Sequence, residues 1–245
     1  MSRWLPIPAS THAGQIDFVL LLVHVLMLVL FAGWGAYFVW ALIRFRAKRS
    51  PVANPAGARG RFAFGIEIGV AIAEVVLLTV FALPLWFART GPPPQDARTI
   101  VLRVVAEQFN WNVLYPGVDG KFGETSVALM TPTNPLGLNR RSPNGRDDIV
   151  ELNVLHLPVG HPVLIQLTSK DVIHSFGVPA MRVKQDAIPG LLSTVWFTPN
   201  LTGQFDIQCS QLCGLGHYRM RGVMIVESED AFRKFLASEA ASQGQ

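Results

Sequence analysis

The first apolar stretch of the sequence has almost no charge. Residues 16 to 43 contain no lysine, arginine or glutamate, and their one acidic residue, Asp17, stands at the edge. Charge is low overall: 16% of the 245 residues are charged, 50% are hydrophobic, and the mean hydropathy is +0.32. This composition excludes an ordinary soluble domain, and the stretch is long enough to cross a bilayer. It is too long for the hydrophobic region of a signal peptide.

Cysteine is also scarce, with Cys209 and Cys213 the only two in the chain. Two cysteines exclude a disulfide-rich scaffold. A disulfide across so short a loop would add little stability, because the entropy that it removes grows with loop length. The sequence has no Cys-x2-Cys-His segment and no internal repeat, so we expect no attached cytochrome domain.

A second apolar stretch, residues 66 to 88, also reaches spanning length but carries Glu67 and Glu74. Acidic residues inside a membrane are unfavourable and usually functional. The two are seven residues apart and so share a helical face, with Glu74 roughly 10 Å deeper at about 1.5 Å per residue. The two stretches together predict a transmembrane hairpin.

The net charge of +4 is unevenly distributed. Up to Ala88 the chain has seven basic and three acidic residues, and the remainder has fourteen of each. Six of the seven basic residues lie between the apolar stretches: Arg44, Arg46, Lys48, Arg49, Arg59 and Arg61. Positive loops stay in the cytoplasm, so both termini and the neutral soluble part are expected outside. The basic pI therefore reflects topology and gives no reason to expect a nucleic-acid partner.

The pattern changes after the second stretch to short β-branched or alternating segments separated by turn residues. Strands are predicted at 100–105, 149–155, 162–168, 194–198, 203–208 and 222–226, with a helix at 231–241 and a long surface excursion at 118–148. This spacing is typical of a small all-β sandwich or barrel.

The predicted domain organisation has seven parts in chain order. They are an N-terminal extracytoplasmic segment (1–15), a first transmembrane helix (16–43), a cytoplasmic loop (44–65), a second transmembrane helix (66–88), a linker (89–99), the β domain (100–236) and a C-terminal tail (237–245).

The most informative segment runs from Cys209 to Met220 and has the pattern Cys-x3-Cys-x3-His-x2-Met. Soft sulfur with imidazole is the donor set that copper prefers, whereas calcium and magnesium require oxygen ligands. Zinc remains open on this chemistry, although its sites seldom use a thioether. Gly214 and Gly216 allow the backbone to fold tightly around a metal.

This pattern resembles subunit II of the haem-copper respiratory oxidases, the cytochrome c oxidase subunit II family, whose loop of this form holds a binuclear copper centre, CuA. The segment 171–179, Asp-Val-Ile-His-Ser-Phe-Gly-Val-Pro, resembles the family's upstream histidine motif, and 184–190 resembles its Lys-x-Asp-Ala-Ile-Pro-Gly stretch. The resemblance covers roughly residues 16 to 236. It implies a cupredoxin-like domain and two thiolate-bridged copper ions, with these ligands: His174, Cys209, Gln211 through its backbone carbonyl, Cys213, His217 and Met220.

Two departures from the family pattern follow from the same comparison. Many members carry glutamate at position 211, where it contributes to a nearby magnesium site, and Gln211 lacks that carboxylate. The segment Gln108-Phe109-Asn110-Trp111 resembles an aromatic patch in which an exposed tryptophan receives the electron from cytochrome c. The leading position here is Phe109, so the resemblance implies that electrons enter at Phe109 and Trp111. The alternative, that both rings fill the core, is open.

The membrane acids also have counterparts in the family. Glu67, counted back from Ala82-Leu83-Pro84, falls where many members have the glutamate at the mouth of a proton channel. The resemblance implies that Glu67 is the point of proton uptake and Glu74 an accessory group, both facing subunit I. Pairing with polar groups at the subunit interface is the structural alternative. His24, His156 and His161 are not predicted to be ligands.

We therefore expect subunit II of a terminal oxidase in the bacterial cytoplasmic membrane, part of a proton-translocating oxidoreductase. A cytochrome c-type donor on the outer side would reduce the copper pair, and the electron would pass to haem in subunit I, where oxygen becomes water. Haem and the CuB copper belong to subunit I, and subunit III or a supercomplex are further expected partners. The alternatives are a copper-containing nitric oxide reductase subunit, a quinol oxidase subunit with a structural cupredoxin domain, and a membrane-tethered copper chaperone.

Overall fold

The computed structural model describes residues 5–49, 52, 60–93 and 96–243. They form a helical unit, Gln15–Pro92, and a β unit built from the N-terminal residues up to Gly14 and the chain from Pro93 onward. Parts of the predicted loop 44–65, including Arg59, parts of the linker 89–99, and both extreme ends of the chain lie outside the described residues. The predicted fold class, two long apolar helices followed by a β-sandwich, is confirmed.

The helical unit contains α1 (Ala13–Arg44) and a second helical run made of α2 (Arg61–Val76), a π-helical stretch (Leu77–Ala82) and α3 (Leu83–Thr90). Both runs are long and apolar enough to cross a membrane, and both extend beyond the predicted spans. Pro84 explains the π-helical stretch, because its ring would clash with the carbonyl four residues earlier in a regular helix. The wider turn relieves that clash, and the N–H of Leu83 donates to the carbonyl of Leu78.

The β unit consists of two five-stranded sheets, in the orders β3-β2-β1-β5-β8 and β4-β10-β9-β6-β7. Two pairs are parallel, β1 with β5 and β4 with β10, and the remaining pairs are antiparallel. The strands are β1 (Ile100–Glu107), β2 (Asn110–Tyr115), β3 (Ile149–Leu152), β4 (Val154–Pro158), β5 (Val163–Ser169), β6 (His174–Val178), β7 (Val183–Ala187), β8 (Ser193–Phe197), β9 (Gly203–Cys209) and β10 (Arg221–Glu227).

The core lies between the two sheets and follows from the alternation of apolar side chains. In β5, Val163, Ile165 and Leu167 are fully buried while the residues between them are half-buried. They share one core cluster with Phe176 of β6 and Trp111 of β2. Burial of these large side chains drives the two sheets together.

Asn153 is the corner at which the chain leaves one sheet for the other. The predicted strand 149–155 is therefore two strands, β3 and β4, in different sheets. Asn153 has a positive φ of 62°, which asparagine tolerates better than most residues. Its side chain accepts from the N–H of Trp111, and its carbonyl accepts from the N–H of Val223, so it joins both sheets.

Residues 5–14 are part of the β unit, although the sequence treats 1–15 as a separate segment. The N–H of Ala9 donates to the carbonyl of Ala180 at 2.8 Å, and the N–H of Thr11 donates to that of Thr198 at 3.0 Å. The hydroxyl of Ser10 donates to the carbonyl of Met181 at 2.8 Å. These contacts bury Ala9 completely just before α1 begins.

The C-terminal helix α4 (Glu229–Gln243) packs on the end of β2 through Phe232, whose ring contacts Tyr115. It also continues through most of the segment 237–245, which the sequence assigns to a tail. The side-chain amide of Gln243 pairs with the backbone of Val150, and this fixes the end of the helix. The excursion 118–148 contains no strand, only isolated bridges and a short 3-10 turn at Val127–Leu129.

Candidate metal centre

Two neighbouring strands and one loop bring the predicted ligands together. His174 is the first residue of β6 and Cys209 the last of β9, and these strands pair with Phe176 opposite Cys209. The loop after β9 carries Cys213, and a 3-10 turn, His217–Arg219, leads to Met220 just before β10. The N–H of Cys209 donates to the carbonyl of Met220 at 3.3 Å, which closes the loop.

The donor atoms lie within contact distance of one another. Sγ of Cys209 is 3.8 Å from Sγ of Cys213, 3.9 Å from Nδ1 of His174 and 3.2 Å from the carbonyl oxygen of Gln211. Sγ of Cys213 is 3.5 Å from Nδ1 of His217 and 3.8 Å from Sδ of Met220. All six groups named from the sequence therefore converge on one site.

These separations fit a metal site. Two donor atoms that are each about 2.3 Å from one metal ion at a tetrahedral angle are about 3.8 Å apart. Six donors exceed the four that a structural zinc ion takes. Two thiols, two imidazoles and a thioether are also the soft set that suits copper. The residues present therefore fit a two-copper centre.

The site is buried on one side. His174, Cys213 and Met220 are almost fully buried, whereas Cys209 is half-buried. Burial of the Cys213 thiol, together with its hydrogen bond to Cys209, raises its pKa to about 11. Without metal the site therefore holds a protonated thiol, and a metal ion must replace that proton to bind.

Asp171 supports the His174 ring from outside the ligand set. Its carboxylate accepts from Nε2 of His174 at 2.9 Å, from the N–H of Gln108 at 2.7 Å and from the N–H of Val172 at 2.6 Å. Burial opposes ionisation of this carboxyl, but the hydrogen bonds outweigh it and lower its pKa. The sequence includes Asp171 in the histidine motif but does not assign it this role.

The turn between β1 and β2 contacts the ligand loop and holds it in place. The side-chain amide of Gln108 donates to the carbonyl of Cys213 at 2.6 Å. Gly214 has a φ of +137°, and a Cβ there would lie 2.7 Å from that amide nitrogen. The ring of Phe109 covers Gly216, where a Cβ would lie 2.4 Å from the ring. Both glycines are required for this close approach.

The expected role of Trp111 as a point of electron entry requires a correction. It is fully buried, and its ring contacts His174 and Phe176 edge to face at centroid distances of 6.2 and 5.5 Å. A docked protein cannot touch a buried side chain, so Trp111 is not a surface contact for a donor. Phe109 is half-buried and lies against the ligand loop, so it stays a candidate.

The remaining sequence candidates are not among the groups of this cluster. Glu67 and Glu74 are two turns apart on α2 in the helical unit. His156 pairs with Glu227 at 2.9 Å and stacks on Phe235, and His161 lies 3.5 Å from Glu229. His24 is hydrogen-bonded within α1, to the carbonyl of Leu20.

Comparisons with known proteins agree on one family. The profile of the family described as "Cytochrome C oxidase subunit II, periplasmic domain" matches residues 100–228. A similar relative, the alternative cytochrome c oxidase subunit 2 of Bradyrhizobium diazoefficiens, is 34% identical over 99% of this chain and 87% of its own length. Cytochrome c oxidase subunit 2 of Cereibacter sphaeroides is 32% identical over 94% of this chain and 76% of its own. The crystal structure of the periplasmic domain of subunit II of cytochrome oxidase of Bradyrhizobium japonicum, 29% identical, covers 62% of this chain and 99% of its own, with a TM-score of 0.46.

Proposed function

The chain belongs to the family of cytochrome c oxidase subunit II, and we propose that its β unit receives electrons at a binuclear copper centre. The donor would be a cytochrome c-type carrier on the outer side of the bacterial cytoplasmic membrane. The electron would then pass to haem in subunit I, where oxygen is reduced to water and protons are pumped. The observation that carries this proposal is the convergence of two thiols, two imidazoles, a thioether and a carbonyl.

The candidate ligands form two groups, one around each thiol. Cys209 and Cys213 are central, because each thiol contacts the other and at least two further donors. His174 and the carbonyl of Gln211 would complete the Cys209 side, and His217 and Met220 the Cys213 side. When bound, a copper pair accepts and releases one electron at a time.

The residues around the ligands keep them in place. Asp171 orients His174, and Gln108 holds the carbonyl of Cys213. Burial of Cys213 and Met220 excludes water from their side of the site. Ligands that are already fixed need little rearrangement when the charge of the site changes, and a small rearrangement favours fast electron transfer.

Phe109 is the residue through which we propose that electrons enter. Its ring covers Gly216 and lies 3.3 Å from the Cβ position of Gly214, next to the ligands Cys213 and His217. Trp111 is buried and in contact with His174. Trp111 would then act as a rigid support for the His174 ring instead of a donor contact.

Glu67 and Glu74 fit a role in proton uptake. Both are on a helix long enough to span a membrane, where a carboxyl is unfavourable without a partner or water. We propose that they face subunit I, with Glu67 as the point of uptake and Glu74 as an accessory group. Residues 9–11 belong to the β unit, which supports a topology with the N-terminus and the copper domain on one side.

Subunit I, subunit III and a respiratory supercomplex are the proposed partners, with haem and CuB on subunit I. The relatives are subunits of cytochrome oxidases, and this favours oxygen over nitric oxide as the substrate of the complex. The full set of soft donors likewise disfavours a quinol oxidase subunit without copper. A copper chaperone would not explain Glu67 and Glu74.

The test is the copper content and electron paramagnetic resonance spectrum of the full chain in detergent. We expect two coppers per chain and a mixed-valence seven-line spectrum. Met220→Leu should alter that spectrum, whereas Met224→Leu, in the core at a buried position of β10, should leave it unchanged. One copper per chain, or zinc in its place, would contradict the proposal.

A further inference from the structure

The end of α4 is attached to β3 by one side chain, that of Gln243. Its amide oxygen accepts from the N–H of Val150 at 3.0 Å and from the guanidinium of Arg140 at 3.1 Å. Its amide nitrogen donates to the carbonyl of Val150 at 3.1 Å. Because β3 is an edge strand, Gln243 thereby occupies both backbone polar groups of Val150 on the open side of the sheet.

Two carboxyl groups meet at the same amide nitrogen. Oε1 of Glu151 and Oε2 of Glu239 each lie 3.2 Å from the side-chain nitrogen of Gln243. We call Glu151 and Glu239 the carboxyl pair. Both are half-buried, and one comes from β3 and the other from α4. The pair therefore joins the two elements that Gln243 connects.

The amide nitrogen of Gln243 has fewer hydrogens than the acceptors around it require. A side-chain amide has two N–H donors, whereas this one faces three acceptors, the carbonyl of Val150 and both members of the carboxyl pair. The hydroxyl of Ser242 is closer to the backbone carbonyl of Glu239, at 3.0 Å, than to its carboxylate, at 3.3 Å. One proton held by the carboxyl pair would supply the missing donor. It would also remove the repulsion between two like charges.

Other charged and titratable groups face the carboxyl pair from the elements packed around it. Among the residues that the structure describes, they are Tyr115 on β2, His156 on β4, Glu227 on β10 and Arg140 in the excursion 118–148. Arg140 donates to the amide of Gln243 and to the carbonyl of Asp148. The ring of His156 pairs with Glu227. The two basic side chains are thus directed to partners other than the carboxyl pair.

The same surroundings determine the pH at which the contact is strongest. Burial raises the pKa of the Glu151 carboxyl, the charge and hydrogen bond of Glu239 raise it further, and His156 and Gln243 oppose this only in part. A carboxyl whose pKa is raised in the folded chain stabilises the fold when it is protonated. That contribution is complete below the ordinary pKa of 4.5 and is lost as the pH rises through the raised value. The contact between α4 and β3 is therefore stronger in acid.

We propose that the carboxyl pair is a proton-binding site that attaches the end of α4 to β3 in acid and releases it as the pH rises. Release would withdraw Gln243 from Val150 and leave the edge of β3 open, and open strand edges tend to pair with other chains. This inference goes beyond the proposed function and rests on it only for the side of the membrane that the site faces. On the outer side, protons pumped by the complex would keep this edge closed.

The test is amide hydrogen exchange of the full copper-free chain in detergent at about pH 5 and about pH 8. Protection factors compare each observed rate with the intrinsic rate at the same pH, so they remove the direct effect of pH on exchange. We expect the protection of residues 237–243 to fall at least about threefold from the lower to the higher pH, relative to that of β10. Equal protection at the two pH values would overturn the proposal.

Glu151→Gln assigns the effect to the carboxyl pair. Its amide can donate to Glu239 as a protonated carboxyl does but does not titrate, so protection of residues 237–243 should be the same at both pH values. Glu239→Gln is the reciprocal variant, and it decides the question if Glu151→Gln does not fold. Asp230→Asn is the control, since Asp230 is an exposed acid in the first turn of the same helix, and it should keep the full pH dependence.

The outcomes separate this inference from the proposed function. A pH dependence that persists in both Glu151→Gln and Glu239→Gln would mean that another group, such as His156, causes it, and the inference would be wrong. A pH dependence lost equally in Asp230→Asn would also overturn it, because the effect would then come from the charge of the helix as a whole. A chain that binds no copper would contradict the proposed function and leave this inference standing, since the carboxyl pair contains no candidate ligand.

Discussion

The carboxylate of Asp171 accepts a hydrogen bond from Nε2 of His174 at 2.9 Å, while Nδ1 of the same ring faces the thiol of Cys209 at 3.9 Å. A carboxylate can only accept, so the ring proton is assigned to Nε2 and the lone pair of Nδ1 points to the site. The ring is thereby set in the orientation and tautomer of a metal ligand before any metal binds.

Replacing Asp171 by asparagine should weaken copper binding. Asp171→Asn keeps the shape but removes the negative charge, so the ring of His174 becomes a weaker donor, and we expect about a tenfold loss of copper affinity. The reduction potential should rise, because a weaker donor favours the reduced, less positive metal. Competition with a copper chelator measures the affinity.

Asp206→Asn is the control for that substitution. Asp206 pairs with Arg221 on the surface and contacts no predicted ligand. Exposed ion pairs contribute little, so its copper affinity should match that of the unmodified chain. Equal losses in both variants would mean that Asp171 has no specific effect on His174.

Gly214→Ala should damage the loop more than Gly203→Ala. Both glycines have φ values in the region that favours glycine, +137° and +148°, so both variants share the backbone strain. A Cβ at Gly214 meets the Gln108 amide at 2.7 Å, whereas a Cβ at Gly203 has ordinary contacts at 3.6 Å. The loss of the bond from Gln108 to Cys213 should lower the free energy of unfolding by about a further 1 kcal/mol. Thermal unfolding of the two copper-free variants measures the loss of stability in each. Equal losses would contradict the prediction.

Ala9→Leu should destabilise the β unit although Ala9 is far from the strands in sequence. Ala9 is fully buried between backbone hydrogen bonds to Ala180 and Asn200, so a larger side chain overpacks the site and should cost about 1–3 kcal/mol of unfolding free energy. Ile7→Ala, at an exposed position two residues earlier, should change it by less than about 0.5 kcal/mol. Similar stabilities would show that the N-terminal contact is dispensable.

Glu67→Gln should slow turnover of the oxidase without affecting reduction of copper. Glutamine keeps the size of the side chain but cannot release a proton, so we expect steady-state oxygen consumption to fall about tenfold or more. Stopped-flow reduction of the copper centre by donor should keep its rate. Glu74→Gln should have the smaller effect on turnover. Unchanged turnover and pumping in Glu67→Gln would leave only the structural alternative for this residue.

The sequence identifies a set of candidate ligands that lie together in the structure, because a metal requires a fixed set of side chains at a fixed spacing. Cys209, Cys213, His217 and Met220 lie in one short loop, and His174 lies in a recognisable motif. The two apolar helices are equally clear, since few segments so rich in apolar residues reach that length. Their spans differ from the prediction only at the ends, where each helical run is a few residues longer than predicted.

The missed features depend on long-range contacts. β6 and β7 carry glycine, lysine and aspartate, and they form strands because they pair with each other and β6 also pairs with β9 next to the site. The division of 149–155 arises from one residue, Asn153, whose positive φ gives no signal in hydrophobic periodicity. Trp111 and Phe109 are only two residues apart, and alternation along β2 cannot tell which of them faces solvent near a turn. The role of Asp171 depends on the direction of its side chain.

The contact between Ser10 and Met181 spans 171 positions of sequence and has a consequence for the order of synthesis. A ribosome makes residues 6–11 before α1, and it makes their backbone partners near Ala180 and Thr198 only after both helices and most of the strands. These early residues must therefore remain without these partners while the rest of the chain emerges. Completion of the β unit is thus one of the last events in the maturation of a newly made chain, and the copper loop, at 209–220, is translated only after those partners.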